Sequence, residues 1–210
     1  MAGKAHVVIF VEGDTDKLLF DALMRYYRQQ YGASIASCEV RNLHGVSRYM
    51  SKVSGKLRNQ IIPAAEKKGM EVKAVCCSYD TDVFEYAERP VVDWNRVEAE
   101  VKRMGVRNFC QVKVEQMIED WLLDDMEGLC GYLKLKRRPA KLQGKNGYER
   151  LKSLYKAGGQ VYVKGFGSEG LVAALDMGVI RQKRATALRQ LEEMLGVPRI
   201  NYAKSFKSEW

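Results

Sequence analysis

Two stretches of continuous apolar, β-branched character constrain this chain more than anything else in it. His6 to Val11 reads HVVIFV, and Val72 to Tyr79 reads VKAVCCSY. Neither alternates strictly between apolar and polar residues, so each is predicted as a strand buried on both faces, as in a parallel sheet covered by helices. Each run then stops abruptly at acids. The first ends in Glu12-Gly13-Asp14-Thr15-Asp16 and the second in Asp80-Thr81-Asp82. In parallel α/β sheets ligands bind beyond the carboxyl ends of the strands. Two strand ends thus deliver Glu12, Asp80 and Asp82 to one edge of the sheet. Carboxylates gathered there repel unless a cation neutralises them or one takes a proton. Their hard oxygens suit Mg2+ or Mn2+. The blander reading of Asp14 and Asp16 is that they cap the following helix.

The rest of the pattern alternates helices with strands. A helix is predicted over 16–30, where Leu18, Leu19, Leu23 and Tyr26 recur at helical spacing, and a second strand over 34–41. A helix over 47–68 carries Arg48, Lys52 and Lys56 in one stripe, and Pro63 is expected to kink or split it. Helices over 94–104 and 117–132 flank a fourth strand over 109–114. Alternation of this kind predicts right-handed βαβ units and an α/β core spanning 1–133. From Lys134 to Lys164 the chain turns strongly basic, with Glu149 as the lone acid. A loop, a helix over 148–155, a short strand at 161–163 and one or two amphipathic helices over 170–195 are expected there. The segment 134–210 is read as completing the same domain, with a frayed tail.

Charge narrows the partners. The chain holds 35 Lys+Arg against 26 Asp+Glu in 210 residues, a formal charge of +9, and no long low-complexity tract. A basic excess spread over a folded chain favours an anionic partner, nucleic acid above all. Arg48, Lys52, Lys56, Arg137, Arg138, Lys141 and Lys145 are the candidates for phosphate contact. Tyr132, Tyr148, Tyr155 and Tyr162 interleave with this basic stretch, either stacking on unpaired bases or packing inward. DNA and RNA are not distinguished.

Other classes fall away. No apolar run approaches the ~20 residues of a spanning helix, and no export signal is visible. Five cysteines without a CxxC, three of them inside apolar runs, read as free thiols in a reducing, cytoplasmic setting. His6 and His44 have no partner at zinc-ligand spacing. A phosphorylated receiver domain also has acids at strand ends and a late lysine, but leaves the DxD unexplained. Apolar C-terminal helices are compatible with a homodimer, although the oligomeric state is not readable from the sequence.

These residues resemble the TOPRIM family. The run from Val11 to Asp16 looks like its glutamate-glycine motif, and Asp80-Thr81-Asp82 looks like its DxD motif. The resemblance is closest to the OLD-like (overcoming lysogenization defect) nuclease branch and spans roughly residues 6–175. That likeness implies a second acid at Asp16, a further ligand at Glu119 within Met117-Ile118-Glu119-Asp120-Trp121-Leu122-Leu123, and a functional lysine at Lys164-Gly165. It also implies a Mg2+- or Mn2+-dependent endonuclease, with cations held by Glu12, Asp16, Asp80, Asp82 and Glu119. Glu12, Asp80, Asp82 and Lys164 are its implied catalytic residues. There are departures. Phe84 stands where some members have a third aspartate, Met117 where the branch has serine, and Asp16 where glutamate is commoner. No Walker A pattern is present, so the resemblance is to a stand-alone form working with a separate ATPase, a toxic effector in anti-phage defence. An RNA-processing ribonuclease, or a non-catalytic binding module on the same fold, fits the same residues.

Overall fold

The computed structural model describes residues 3–85 and 91–199. β1 (Lys4–Val11) leads into α1 (Asp14–Tyr31), and β2 (Ser37–Asn42) lies parallel beside β1. α2 (Tyr49–Lys56) and α3 (Ile62–Glu66) precede β3 (Met70–Asp80), which pairs in parallel with the other edge of β1. The short α4 (Asp82–Glu85) and α5 (Trp94–Arg103) lead to β4 (Asn108–Val114), parallel to β3. The sheet order is therefore β2-β1-β3-β4. This is the α/β class expected, a parallel sheet flanked by helices with a helical C-terminal part. The two runs that opened the sequence reading are its two central strands.

Both faces of the sheet are covered, which is why those runs do not alternate. Val7, Ile9 and Val11 of β1 enter one apolar cluster, with α1 and most of the chain after residue 117. Val8 and Phe10 enter the other, with α2, α3 and α5. Tyr49 joins the second layer to the sheet, its hydroxyl donating to the carbonyls of Phe10 and Ser78. The five cysteines are free, and Cys76, Cys77 and Cys110 are buried, as their apolar context requires.

Several boundaries differ from the sequence reading. The predicted helix over 47–68 is not interrupted at Pro63; residues Leu57–Ile61 take a π-helical turn that leads directly into α3, which carries Pro63. Proline lacks an N–H, and its ring would strike the carbonyl four residues earlier, which the wider turn accommodates. The single helix expected over 117–132 is two, α6 (Ile118–Leu122) and α7 (Met126–Tyr132). Asp125 accepts from the Gly128 N–H at 3.0 Å as the cap of the second, so its side chain ends one helix and starts the next. α8 (Gly147–Ala157) is present and capped by Asn146. The strand expected at 161–163 is no more than a bridge between Val163 and Phe166. Three helices follow instead of one or two: α9 (Ser168–Ala174), α10 (Met177–Lys183) and α11 (Ala185–Leu195). They pack into the cluster that holds β1 and β4. The tail expected to fray, beyond residue 199, lies outside the described residues. No described helix is long and apolar enough to cross a membrane.

Candidate functional site

Strand order fixes the location of the site. From β1 the chain moves outward to β2, then crosses back to place β3 on the opposite side of β1. The order reverses between β1 and β3, and a crevice opens at the carboxyl ends of such a pair. Glu12 follows β1 directly and Asp80 is the last residue of β3. The two ends are tied together, because Glu12 Oε1 accepts the Asp80 N–H at 2.9 Å. Asp16 lies in the first turn of α1, 1% exposed, and Glu119 in the first turn of α6, fully buried. Acids near helix N-termini are stabilised by the exposed N–H groups there.

Lys164 reaches this edge from the turn before α9. Its Nζ stands 3.6 Å from Asp80 Oδ2 and 3.4 Å from Glu119 Oε2. Two hydrogen bonds hold that turn in place. The Tyr162 hydroxyl donates to Glu119 Oε1 at 3.1 Å, and the Gly165 N–H donates to Thr15 Oγ1 at 3.2 Å. Gly165 and Gly167 both have positive φ, 78° and 66°, so glycine is what allows the chain to turn so tightly here.

The loops around the crevice carry unusual backbone. His44 and Gln116, which follow β2 and β4, are left-handed non-glycine residues with φ of 60° and 58°. Such conformations cost about 1–3 kcal/mol each and tend to occur where a site needs them. Gln116 accepts from the Asp82 N–H and donates its own N–H to Thr81 Oγ1, so the strained residue fixes the DxD loop. His44 donates its N–H to Asn42 Oδ1, while Asn42 donates to Asp14 Oδ1 at 2.7 Å. Asp14 is thus exposed and tied to the neighbouring loop, in keeping with a role in the turn.

Electrostatics separates these acids from ordinary surface carboxylates. Burial pushes Glu12 up to about 7, despite the Asp80 N–H, and nearby Asp16 and Asp82 raise it further. Burial pushes Asp16 up to about 6, against the pull of Lys164. Asp80 goes up to about 9, through burial first and then through Asp16, Glu12 and Glu119. Burial pulls the Lys164 ammonium down, but Glu119, Asp80 and Asp16 outweigh it and hold it above the ordinary lysine value. The acids and the lysine therefore form one electrostatic group.

That group is short of partners. Asp16 Oδ1, Asp80 Oδ1 and Asp82 Oδ1 are buried with no hydrogen-bond partner among the described residues. No arginine pairs with Glu12, Asp16, Asp80, Asp82 or Glu119 among the described residues. Buried polar atoms are normally satisfied, so three orphaned carboxylate oxygens at one edge point to a missing positive partner. An all-oxygen donor set suits a hard divalent cation. The carboxylates are neighbours rather than a finished cage, since among the described residues no three acidic, histidine or cysteine side chains already stand in joint ligand geometry. Lys164 occupies the space between Asp80 and Glu119.

The remaining candidates spread over two surfaces. Arg48, Lys52 and Lys56 line a groove of about 390 Å3 with Asn42 and His44, beside the carboxyl end of β2. Arg137, Arg138, Lys141 and Lys145 are exposed on the loop between α7 and α8. The interleaved tyrosines pack inward: Tyr132–Tyr155, Tyr155–Tyr162 and Tyr148–Tyr162 have ring centroids 6.3, 5.2 and 5.8 Å apart. Asp120, Asp124 and Asp125 each have a partner within the helical layer. Asp124 pairs with Arg184 at 2.5 Å, Asp125 caps α7, and Asp120 lies 3.5 Å from Arg150. Met117, standing where the OLD-like branch has serine, accepts from the Tyr148 N–H through its sulfur at 3.2 Å. Phe84 packs on Tyr79 with centroids 5.1 Å apart. Gln116 went unnoticed in the sequence, as did the partners of Thr15 and Tyr162, because each contact reaches far along the chain.

No family model matches the chain, and no curated protein matches it. Two solved structures do. One is the C-terminal region of the Xanthomonas campestris pv. campestris OLD protein phased with platinum, at 18% identity over 91% of this chain and 94% of that one, with a TM-score of 0.42. The other is the same region phased with iodine, at 15% identity over 91% and 96%, with a TM-score of 0.41.

Proposed function

We propose that this chain is a divalent-metal-dependent nuclease that hydrolyses phosphodiester bonds of DNA or RNA. The observation that carries the reading is the set of orphaned oxygens on Asp16, Asp80 and Asp82, at the one crevice where the strand order reverses. Glu12, Asp16, Asp80, Asp82 and Glu119 would hold Mg2+ or Mn2+. Bound there, the metal supplies charge neutralisation at the phosphate and a lowered pKa for an attacking water.

The chain's own residues do the rest. Glu12, held near 7, is matched to accept a proton at neutral pH. One of its oxygens accepts the Asp80 N–H, and the other serves as the base, either alongside a ligand role or in place of it. Lys164, still positive at neutral pH, offsets charge that builds on the phosphoryl oxygens as the bond to the leaving oxygen breaks. The groove formed by Arg48, Lys52 and Lys56, and the loop bearing Arg137, Arg138, Lys141 and Lys145, hold the backbone on either side through phosphate contacts. We propose further that the chain serves anti-phage defence as an effector working with a separate ATPase, a reading supported by its sequence resemblance alone.

The test is incubation of plasmid, linear duplex, single-stranded DNA and RNA with Mg2+ or Mn2+. Cleavage that needs the metal and is lost in Asp80→Asn is expected. The proposal fails if a folded sample, alone and with candidate partners, cuts none of them while Asp80→Asn and Asp82→Asn leave metal binding unchanged.

A further inference from the structure

The turn that delivers Lys164 also displays apolar side chains that nothing in the fold uses. Phe166 is 80% exposed, Val161 80% and Val163 51%. Among the described residues the only other large hydrophobic side chain left in the open is Val83, just past the DxD. Large apolar groups left exposed on a soluble chain mark contacts with something else. Three of the four sit on the single turn that carries Lys164.

The turn is built to hold its shape. Phe166 donates its N–H to the Val163 carbonyl at 3.1 Å, and the two residues form a β-bridge. Gly165 is anchored to Thr15, and Tyr162 to Glu119, so both sides of the turn are tied to elements that carry the acids. The exposed ring is therefore presented from a fixed platform, two residues from an ammonium that touches Asp80 and Glu119. Beside the turn lies a cavity of about 480 Å3 whose lining includes Lys17, Gly165 and Gly167 together with the acids Asp14 and Glu169. That volume falls within the range of sites for small organic ligands.

An aromatic ring beside a cation at the rim of a phosphate site has the chemistry of a base-stacking contact. Every base has a π-face, so one ring accepts any of them, while the lysine and the acids with their metal read only the backbone. A fully paired duplex keeps its bases stacked on one another and offers this ring nothing. The geometry points to Phe166 as a stacking platform for an unpaired nucleobase next to the phosphate that lies at the acids. The substrate class is then single-stranded nucleic acid, or duplex with an unpaired base at the site. This inference rests on the nuclease reading for its choice of ligand and deepens it.

The experiment measures binding of fluorescently labelled single-stranded and fully duplex oligonucleotides in EDTA, and their cleavage in Mn2+, for the wild type, Phe166→Ala, Phe166→Leu and Phe166→Trp. Because the ring is exposed, these substitutions spare the core. Phe166→Ala and Phe166→Leu are expected to weaken single-strand binding about 5- to 100-fold and duplex binding less than about 2-fold. Phe166→Trp should retain the affinity, and its added emission should be quenched by single strands. If the wild type prefers duplex, or Phe166→Ala changes nothing, stacking is overturned while hydrolysis stands. If single-strand binding depends on Phe166 but no substrate is ever cut, the nuclease reading falls and stacking stands. A chain that binds no nucleic acid overturns both. A Phe166→Ala variant with unchanged nucleic-acid binding but an altered mass by light scattering makes the ring a protein contact, and the inference is lost.

Discussion

Two clusters of buried charge among the described residues are treated in opposite ways. Between α1, α10 and α11, Arg181 Nε donates to Glu192 Oε1 at 2.7 Å. The same carboxylate accepts from Tyr27, and the guanidinium also reaches the Tyr31 hydroxyl at 2.6 Å and the Pro198 carbonyl at 3.0 Å. Two aromatic faces lie against the guanidinium, with Tyr27 and Tyr31 centroids 5.3 and 5.5 Å from it. Both oxygens of Glu192 are engaged. At the crevice the proportions invert, with five acids, one lysine and three carboxylate oxygens without partners. A charge cluster that serves packing is closed by its neighbours. The one at the crevice is left open, and the cation proposed above would offset the cost of its unpartnered oxygens.

The first way to break the contrast is to remove one partner from the closed cluster. Glu192→Ala leaves a buried guanidinium uncompensated, which is expected to cost about 3–5 kcal/mol. At this chain length that lowers Tm by about 6–20 °C, read by calorimetry. A loss below about 1 kcal/mol would mean that the cluster is not closed in solution. The same removal in the open cluster should fall on chemistry instead. Asp80→Asn is expected to reduce cleavage by about 10²- to 10³-fold while the far-ultraviolet circular dichroism stays unchanged.

Acidity sharpens the contrast further. Asp80, Glu12 and Asp16 all hold protons more tightly folded than unfolded. Stability from such groups is fully present below about pH 4 and is lost as pH rises through about 6, 7 and then 9. The metal-free protein should therefore lose Tm between about pH 5 and 9, and Asp80→Asn should flatten that decline, gaining about 1–3 kcal/mol at pH 8. Divalent cations need the deprotonated ligands, so the Tm rise on adding Mn2+ should be larger at pH 8.5 than at pH 6. An equal rise at both values would show that Mn2+ binds elsewhere.

Sequence alone exposed much of this, for definable reasons. A strand buried on both faces cannot afford polar residues inside it, so β1 and β3 were legible as apolar runs, and the acids after them as interruptions needing a cause. What stayed hidden was long-range. Tyr162 meets Glu119, and Thr15 meets Gly165, across many residues of chain, and no local spacing announces either contact. Nor does composition reveal that a π-widened turn precedes Pro63, or that Asp125 splits a helix. Whether a side chain ends a helix or decorates its polar side depends on which backbone N–H lies within reach. The tyrosines of the basic stretch illustrate the same limit. Their spacing with lysines allowed either stacking or packing, and the ring-to-ring chain from Tyr148 through Tyr162 to Tyr155 shows that they pack.

The smallest expected effect concerns the positive surfaces, which belong to neither cluster. Lys52 lies on α2, at the groove beside β2 and away from the orphaned oxygens. A lysine that meets a phosphate releases counter-ions on binding but reads no base. Lys52→Ala should therefore weaken binding of every nucleic acid to a similar degree, by about 1 kcal/mol, and reduce the slope of log K against log salt by roughly 1. Cleavage at saturating substrate should not change, because nothing at the acids has moved. If Lys52→Ala leaves the salt slope intact while the same substitution at Arg138 reduces it, the strand runs along the 133–146 loop and not across α2. If it lowers saturated cleavage as well, the groove belongs to the open cluster, and the boundary drawn here between holding the backbone and cutting it is misplaced.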